Sequence, residues 1–353
     1  MKLLVTGGAG FIGSNFIIDW YKNSKVPIIN LDKLTYASNK ENLNDVNIPS
    51  DLYSLIEGDI CDGKLVKKIF EENEISSVIN FAAESHVDRS INDPELFIKT
   101  NVIGTYRLLQ ASLDYFKENP NNDFRFLHVS TDEVYGDLEK NDPSFTEDNQ
   151  FKPNSPYSAS KASSDHLVRA FNKTYNLPTI ISNCSNNYGP YQFPEKLIPL
   201  TIKNAISNKS IGLYGDGSQI RDWLYVSDHC SALRKILDKG EIGQTYNIGG
   251  DSEKTNLEVV LKICSILDNL IPRDDKTSYS ELITYIKDRP GHDKRYAINS
   301  SRLKNNLGWS PCEEFDSGIY KTVHWYLKNS NWLSKNQSTN LEGWLKQHYN
   351  END

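Results

Sequence analysis

Lys2-Leu3-Leu4-Val5-Thr6-Gly7-Gly8-Ala9-Gly10-Phe11-Ile12-Gly13 opens the chain, and its reading decides the fold. The apolar run up to Thr6 has the length of a buried strand, and Ser14 to Trp20 spaces Phe16, Ile17 and Trp20 for a helix. Between them lies Gly-x-x-Gly-x-x-Gly: Gly7, Gly10 and Gly13. By itself such a pattern fits many loops. Between a strand and a helix it has a physical reason, because glycines allow a tight turn and a close backbone approach to a pyrophosphate. The helix that follows presents free N–H groups and the positive end of its dipole to that anion.

Working outward, the run Val26 to Leu31 reads as a second strand and ends at Asp32, 19 residues past Gly13. An acid at that spacing bonds the adenosine ribose hydroxyls and repels a 2′-phosphate, which favours NAD over NADP. Lys33, Leu34 and Thr35 follow it along the same cofactor edge. A third strand, Leu52 to Glu57, runs into Gly58-Asp59-Ile60. Asp59 is expected to accept from the adenine amino group with Ile60 beside the ring, or to cap the helix that begins near Lys64. The fourth strand, Ser77 to Phe81, exits through Ala82 and Ala83, whose small side chains let a cofactor pass. Asp93-Pro94 then starts a long helix reaching about Lys117. Strands alternating with helices predict an α/β fold, a doubly wound parallel sheet of the Rossmann-like, NAD-binding kind.

The strand Arg125 to Val129 leads into Ser130-Thr131-Asp132-Glu133-Val134-Tyr135-Gly136. The carboxyl end of a parallel strand opens onto the ligand crevice. Two adjacent carboxylates beside a threonine hydroxyl there have the makings of a general acid and a general base. Neighbouring strand residues point to opposite faces, so the pair must lie where the strand bends into a turn, and Gly136 suits such a bend. Downstream, Tyr157 and Lys161 share one face of a helix running to about Thr174. An ammonium near a phenol, together with a cationic nicotinamide, lowers the phenol's pKa enough to make it a base near neutrality. In isolation this spacing is an ordinary surface pair. After a dinucleotide turn and an acidic strand end it reads as an oxidation pair.

Beyond the strand Thr179 to Asn183 the alternation weakens. The turn-rich stretch Asn186 to Leu197 carries amides, phenols and Lys196, suited to a polar ligand or equally to a structured loop. Arg221, in the strand after Gly215-Asp216-Gly217, is either a bidentate diphosphate ligand or a buried partner of Asp222. Arg289, in the turn Asp288 to His292, has the same two readings. The predicted organisation is a dinucleotide-binding domain over residues 1–185, with returns near 220–250 and 297–325, and a smaller mixed nucleotide-sugar domain mainly over 186–353. The tail beyond about Ser330, with Trp332 and Trp344, reads as a last helix with a frayed end.

Composition excludes several classes. A net charge of −8 argues against coating nucleic acid or an anionic membrane. No run of 18 apolar residues is present to span a bilayer. Five scattered cysteines with no Cys-x-x-Cys pair indicate neither a disulfide framework nor a metal site. With no basic, cleavable leader at the start, the expected location is cytoplasmic.

These motifs together resemble the extended short-chain dehydrogenase/reductase superfamily and, within it, the dTDP-glucose 4,6-dehydratases. The resemblance runs from Met1 to about Trp325. Its general marks are the glycine turn and Tyr157-x-x-x-Lys161. The narrower ones are Asp32-Lys33-Leu34-Thr35-Tyr36-Ala37, Ala82 to Ser90, Thr131 to Gly136 and Asn186 to Leu197. Related 4-epimerases generally lack the acidic pair after the threonine, so Asp132-Glu133 discriminates. The resemblance implies Asp132 as acid and Glu133 as base, with Thr131, Tyr157 and Lys161 serving an oxidation. It implies that Phe11, Ile12, Phe81, Ser85, Thr100 and Asn187 touch NAD. Substrate contacts would come from Ser85, Asn186, Lys196, Leu197, Tyr214, Arg221, Asn256, Asp288, Arg289 and His292, in a homodimer. The expected chemistry is oxidation at sugar C4, elimination across C5–C6 and return of the hydride to C6. Another nucleotide-sugar dehydratase or epimerase is the nearest alternative. A non-catalytic NAD sensor would need neither the acidic pair nor Tyr157 and Lys161.

Overall fold

The computed structural model describes residues 1–120 and 123–335; Trp344 and the rest of the tail lie outside the described residues. Seven parallel strands form the main sheet: β1 (Lys2–Thr6), β2 (Ile28–Asp32), β3 (Tyr53–Glu57), β4 (Ile75–Asn80), β5 (Arg125–Thr131), β6 (Thr179–Cys184) and, from later in the chain, Thr245–Ile248. Three short strands come between β6 and that last one: β7 (Asn186–Tyr188), β8 (Ile211–Tyr214) and β9 (Ile220–Tyr225); Thr245–Ile248 is thus β10. The sheet order is β10-β6-β5-β4-β1-β2-β3, every pair parallel.

Alternation along the strands builds two cores. Leu3, Val5, Leu127 and Val129 pack on one face with Phe16, Ile17, Leu233 and Ile236. Leu4, Ile29, Val78 and Phe126 pack on the other with Val66, Leu108, Val168 and Phe171. Strands buried on both faces explain why their sequences read as unbroken apolar runs. Truncating Leu4, fully buried between them, to Ala should cost about 2–5 kcal/mol.

The helix predicted from Asp93 is there, with a difference. Asp93 caps it by accepting from Leu96 N, and Pro94 occupies its first turn. The α-helical turn Pro94–Phe97 then passes through a π-helical stretch, Ile98–Gly104, before Thr105–Glu118 resumes α geometry. This widened turn carries Thr100 and lets Asn101 clamp the Glu84 backbone, accepting from its N–H at 2.9 Å and donating to its carbonyl at 3.0 Å. The helix at Lys64 is capped by Asp62, not by Asp59. Both acids precede it, but Asp62 is the one whose carboxylate reaches the Lys64 and Leu65 N–H groups.

The later part of the chain makes two small sheets. In one, β9 pairs with β7 in parallel and with β11 (Glu253–Thr255) in antiparallel fashion; in the other, β8 pairs with β12 (Ile283–Ile286). Around them Tyr188, Ile198, Trp223, Val259, Ile263 and Ile319 form a separate core. The helix Val226–Lys239 contributes Leu233 and Ile236 to the core of the large sheet. Ala297 and Ile298 pack on Tyr135 and Phe145. Trp332, in the helix Ser330–Lys335, donates to Asn42 Oδ1 at 2.8 Å.

Candidate active site

The chain leaves β1 for β2 on one side and reaches β4 on the other, so a crevice opens at the carboxyl ends of β1 and β4, the switch point of the sheet. The glycine turn forms one wall of the cleft found there, Phe81 to Ser85 the opposite one, and Thr131 to Glu133 with Tyr157 its inner end. The glycines have measurable reasons. A Cβ on Gly13 would stand 2.3 Å from the Gly7 carbonyl, and one on Gly7, whose φ is +71°, 2.7 Å from Ala82 N. The helix Phe11–Asn23 starts at Gly10 with no side-chain cap, leaving its first N–H groups facing the cleft for an anion.

Asp32 lies at the end of β2 and fastens this turn. Its Oδ2 accepts from Ala9 N at 2.8 Å and its Oδ1 from Leu34 N at 2.8 Å and Ser38 Oγ at 2.9 Å. A carboxylate has about four acceptor positions, so a ribose hydroxyl can still be taken. At the far end of the cleft Lys33 pairs with Asp59 at 2.9 Å. Burial pushes Asp59 up, but the Cys61 N–H and Lys33 outweigh it and hold the carboxyl below its ordinary value. Uncapped N–H groups, glycines along the cleft and an acid with an acceptor position to spare fit an NAD-sized dinucleotide.

At the inner end β5 runs through Thr131 and breaks into a 3-10 turn, Asp132–Tyr135, closed by Gly136 at φ +95°. That break puts both carboxylates on the cleft. The Thr131 hydroxyl accepts from Glu133 N at 3.3 Å and donates to Asp132 Oδ1 at 3.3 Å, with the Tyr157 phenol on the same inner end of the cleft. Asp132 Oδ2 is buried with no hydrogen-bond partner in the protein. Burial, and then the charges of Glu133 and Asp222, push Asp132 well above the carboxylate range. Burial raises Glu133 too, but Arg289, Lys196 and Arg221 draw it back. Of the two, Asp132 is suited to hold a proton and Glu133 to accept one.

Tyr157 and Lys161 sit on the helix Pro156–Tyr175, which begins with a capping box at Ser155 and Ser158. Their electrostatics differ from the expectation. Burial and the Glu133 charge put Tyr157 well above its usual value, with the Thr131 hydroxyl pulling the other way. Lys161 is directed past the phenol to the Val129 carbonyl at 2.8 Å and the His128 ring at 3.4 Å.

A family model described as GDP-mannose 4,6 dehydratase matches residues 4–322. The chain is 53% identical to the dTDP-glucose 4,6-dehydratase of Salmonella typhimurium, over 99% of both chains. The chain belongs to the dTDP-glucose 4,6-dehydratases. Among solved structures, the Bacillus anthracis member of the family in complex with NAD aligns with a TM-score of 0.84 at 46% identity, covering 96% of this chain and 100% of that one. A Streptomyces venezuelae member with NAD bound aligns at 0.86 and 41% identity, with the same coverage.

Against the family expectation, the anticipated cofactor residues gather along the cleft, Thr100 and Asn187 included; Leu34 does not line it, and contributes its N–H to Asp32. Of the anticipated substrate residues, Ser85, Asn186 and Lys196 line it with Thr131, Asp132 and Glu133, and Lys196 Nζ lies on the Ser85 carbonyl at 2.9 Å. Leu197, Tyr214, Arg221, Asn256, Asp288, Arg289 and His292 do not line this cleft. They belong to the neighbouring region: Arg289 pairs with Asp88 at 3.0 Å, Tyr214 donates to Asp88 at 3.1 Å, and His292 Nδ1 lies 2.6 Å from Asp288. Asn256 opens the helix Asn256–Leu270 and Leu197 the helix Leu197–Ile206. Arg221 is not the partner of Asp222. Its guanidinium donates to the Ile220 and Asp293 carbonyls, whereas Asp222 accepts from Gly250 N and Ser252 N.

Sequence reasoning passed over one cluster on the cleft. Glu195 pairs with Arg89 at 3.1 Å and accepts from the Tyr36 hydroxyl at 3.2 Å, while the Arg89 guanidinium stacks 3.9 Å above the Tyr36 ring. The three come from separate segments, and nothing local in any of them marks the contact. Among the described residues no group of side chains is disposed to hold a metal ion, and no helix is long and apolar enough to cross a membrane.

Proposed function

We propose that this chain converts dTDP-glucose to dTDP-4-keto-6-deoxyglucose and water, as a hydro-lyase with NAD held and regenerated in the cleft. The observation that carries the reading is the buried, unpartnered Oδ2 of Asp132 beside Glu133 and Tyr157 on one cleft wall. The names of the relatives at 53% identity support the substrate.

A hexose C5 proton is not acidic until C4 is a ketone. Bound NAD would supply the oxidising power at C4 by accepting the hydride there, and the same hydride would go back to the sugar at C6. Tyr157 takes the C4 hydroxyl proton, with Thr131 bonding that oxygen; the positive charge of bound nicotinamide would offset the burial and the Glu133 charge that hold the phenol high, and Lys161 stands one turn further along the same helix. Glu133 then removes the C5 proton, and Asp132 protonates the departing C6 hydroxyl, which leaves as water. A proton returns to C5 as the hydride returns to C6, so no redox equivalent is consumed. Opposite protonation states on adjacent carboxyls are what such an elimination requires.

In this reading the seven-stranded part holds the dinucleotide, and residues from 186 onward mainly hold the nucleotide sugar. Arg221, Arg289 and Lys196 supply its positive charge. The expected assembly is a cytoplasmic homodimer. Exposed Ile98 and Ile103 on the π-helical turn support a partner surface, and five unpaired thiols support a reducing compartment. The test is incubation with dTDP-glucose without added NAD. A 4-keto-6-deoxy product is expected. Inactivity there with turnover of UDP-glucose or GDP-mannose would replace the substrate assignment.

A further inference from the structure

Beneath Lys161 runs a file of buried polar side chains that no step above uses. Thr6 Oγ1 donates to Asn80 Oδ1 at 2.6 Å, Asn80 Nδ2 lies 3.1 Å from His128 Nδ1, and His128 Nε2 lies 3.4 Å from both Lys161 Nζ and Asp165 Oδ1. The file crosses the adjacent strands β1, β4 and β5 and ends on the helix that carries Tyr157. Polar groups in the middle of a parallel sheet cost free energy that an apolar core would not, and they persist where every member is satisfied or a function demands them.

Tyr157, Lys161 and Asp165 are spaced i, i+4, i+8 along one helix face. Lys161 is 4% exposed and Asp165 1%. An ammonium so enclosed needs a countercharge. Neither of its direct contacts, the Val129 carbonyl and the His128 ring, supplies one. Asp165 Oδ2 is anchored by Ser130 Oγ at 2.9 Å and Asn183 Nδ2 at 3.2 Å, which turns Oδ1 toward the imidazole that touches the lysine. Because Asn80 Oδ1 is taken by Thr6, the Asn80 amide donates to Nδ1 and the imidazole proton is assigned to Nε2, facing Asp165.

We propose that Asp165 is a positioning residue for the oxidation step: its carboxylate is the countercharge that keeps Lys161 an ammonium, and the Thr6–Asn80–His128 file fixes the imidazole that separates the two. The proposal rests on the assignment of Tyr157 and Lys161 as the oxidation pair. The other titratable groups facing this pocket are Cys184 on β6 and Tyr135 on the turn after β5. Burial lowers Lys161 and the Asp165 charge raises it back. Burial lifts Asp165 itself to about 7. Burial and the Lys161 charge keep His128 neutral.

The test uses the holoprotein with its lysines carbon-13 labelled at Cε, the Lys161 resonance being identified by its loss in Lys161→Arg. Asp165→Asn should lower the Lys161 titration midpoint by about one pH unit or more. In parallel, the alkaline limb of single-turnover C4 oxidation should move to lower pH with KM little changed. Asp165→Glu, which restores the charge, should recover most of both shifts. Should Asp165→Asn fail to fold, His128→Gln keeps the test: with the file broken, the Lys161 midpoint should shift again. A Lys161 titration that stays in place in the folded variants would overturn the proposal, even if thermal stability falls. If the unaltered protein does not turn over dTDP-glucose, the proposed function fails instead, and the titration still decides the role of Asp165.

Discussion

Asp132 and Glu133 are chain neighbours on one turn, yet they face different charges. Burial raises both. Glu133 and Asp222 then push Asp132 further up, while Arg289, Lys196 and Arg221 pull Glu133 back. The division of labour proposed for the two carboxyls follows the charges each of them faces.

Glu133→Gln keeps the size of the side chain and removes its basicity. It should leave C4 oxidation in place and abolish exchange of the C5 proton with solvent deuterium, lowering kcat by roughly 10²–10⁴-fold, the usual worth of a general base. Mass spectrometry of recovered substrate in heavy water checks this. Full C5 exchange in the variant would remove Glu133 from the role.

Tyr157→Phe acts one step earlier. The phenol lines the inner end of the cleft with Thr131, and without it the C4 hydroxyl has no proton acceptor. No transient absorbance of reduced nicotinamide should follow substrate addition. Asp132→Asn, by contrast, should let that signal form and persist, because the leaving hydroxyl is no longer protonated.

Tyr36, Arg89 and Glu195 fasten three segments together, with Glu195 on the lining of the cleft. Glu195→Gln removes the charge of a carboxylate that is almost wholly enclosed. Loss of that pairing should loosen the strap and raise the rate of NAD loss by about tenfold or more. Cofactor content after repeated gel filtration measures it. Equal retention in variant and wild type would show that the cluster serves packing alone.

His229 is fully buried with Nδ1 2.9 Å from Asn187 Oδ1, and burial lowers its pKa to about 3. In the unfolded chain it titrates near 6.5, so between about pH 6.5 and pH 3 the unfolded state binds the extra proton. Its neutral form costs no such stability above pH 6.5, and acid progressively favours unfolding. The difference in unfolding free energy between wild type and His229→Gln should therefore fall by about 1.4 kcal/mol per pH unit below pH 6.5. Denaturant titrations at a series of pH values give that slope; a flat difference would mean the imidazole is protonated in the fold.

The glycine turn, the strands that follow it and the helix of Tyr157 were legible because each is fixed by its own residues: period, caps and glycines acting within a few positions. The bend that presents Asp132 and Glu133 could be inferred from the pair itself and from Gly136. Less local features were not readable. The π-helical turn at Ile98–Gly104 has no residue signature, since the shift in hydrogen bonding is set by what Thr100 and Asn101 meet elsewhere. Choosing Asp62 over Asp59 as a cap turns on which carboxylate reaches the Lys64 and Leu65 N–H groups. The pairing of Ile211 with Ile283, the Arg89–Glu195 strap and the orientation of Lys161 toward Val129 all join distant segments, and pattern alone does not specify such contacts.

The central claim is that one cleft oxidises C4, eliminates water across C5–C6 and returns the same hydride to C6. It is tested most directly with dTDP-glucose carrying deuterium at C4 and no added NAD. The account predicts a 4-keto-6-deoxy product with that deuterium in its C6 methyl group. Deuterium released to solvent, or a 4-keto-6-deoxy product with no deuterium in its C6 methyl group, would contradict it.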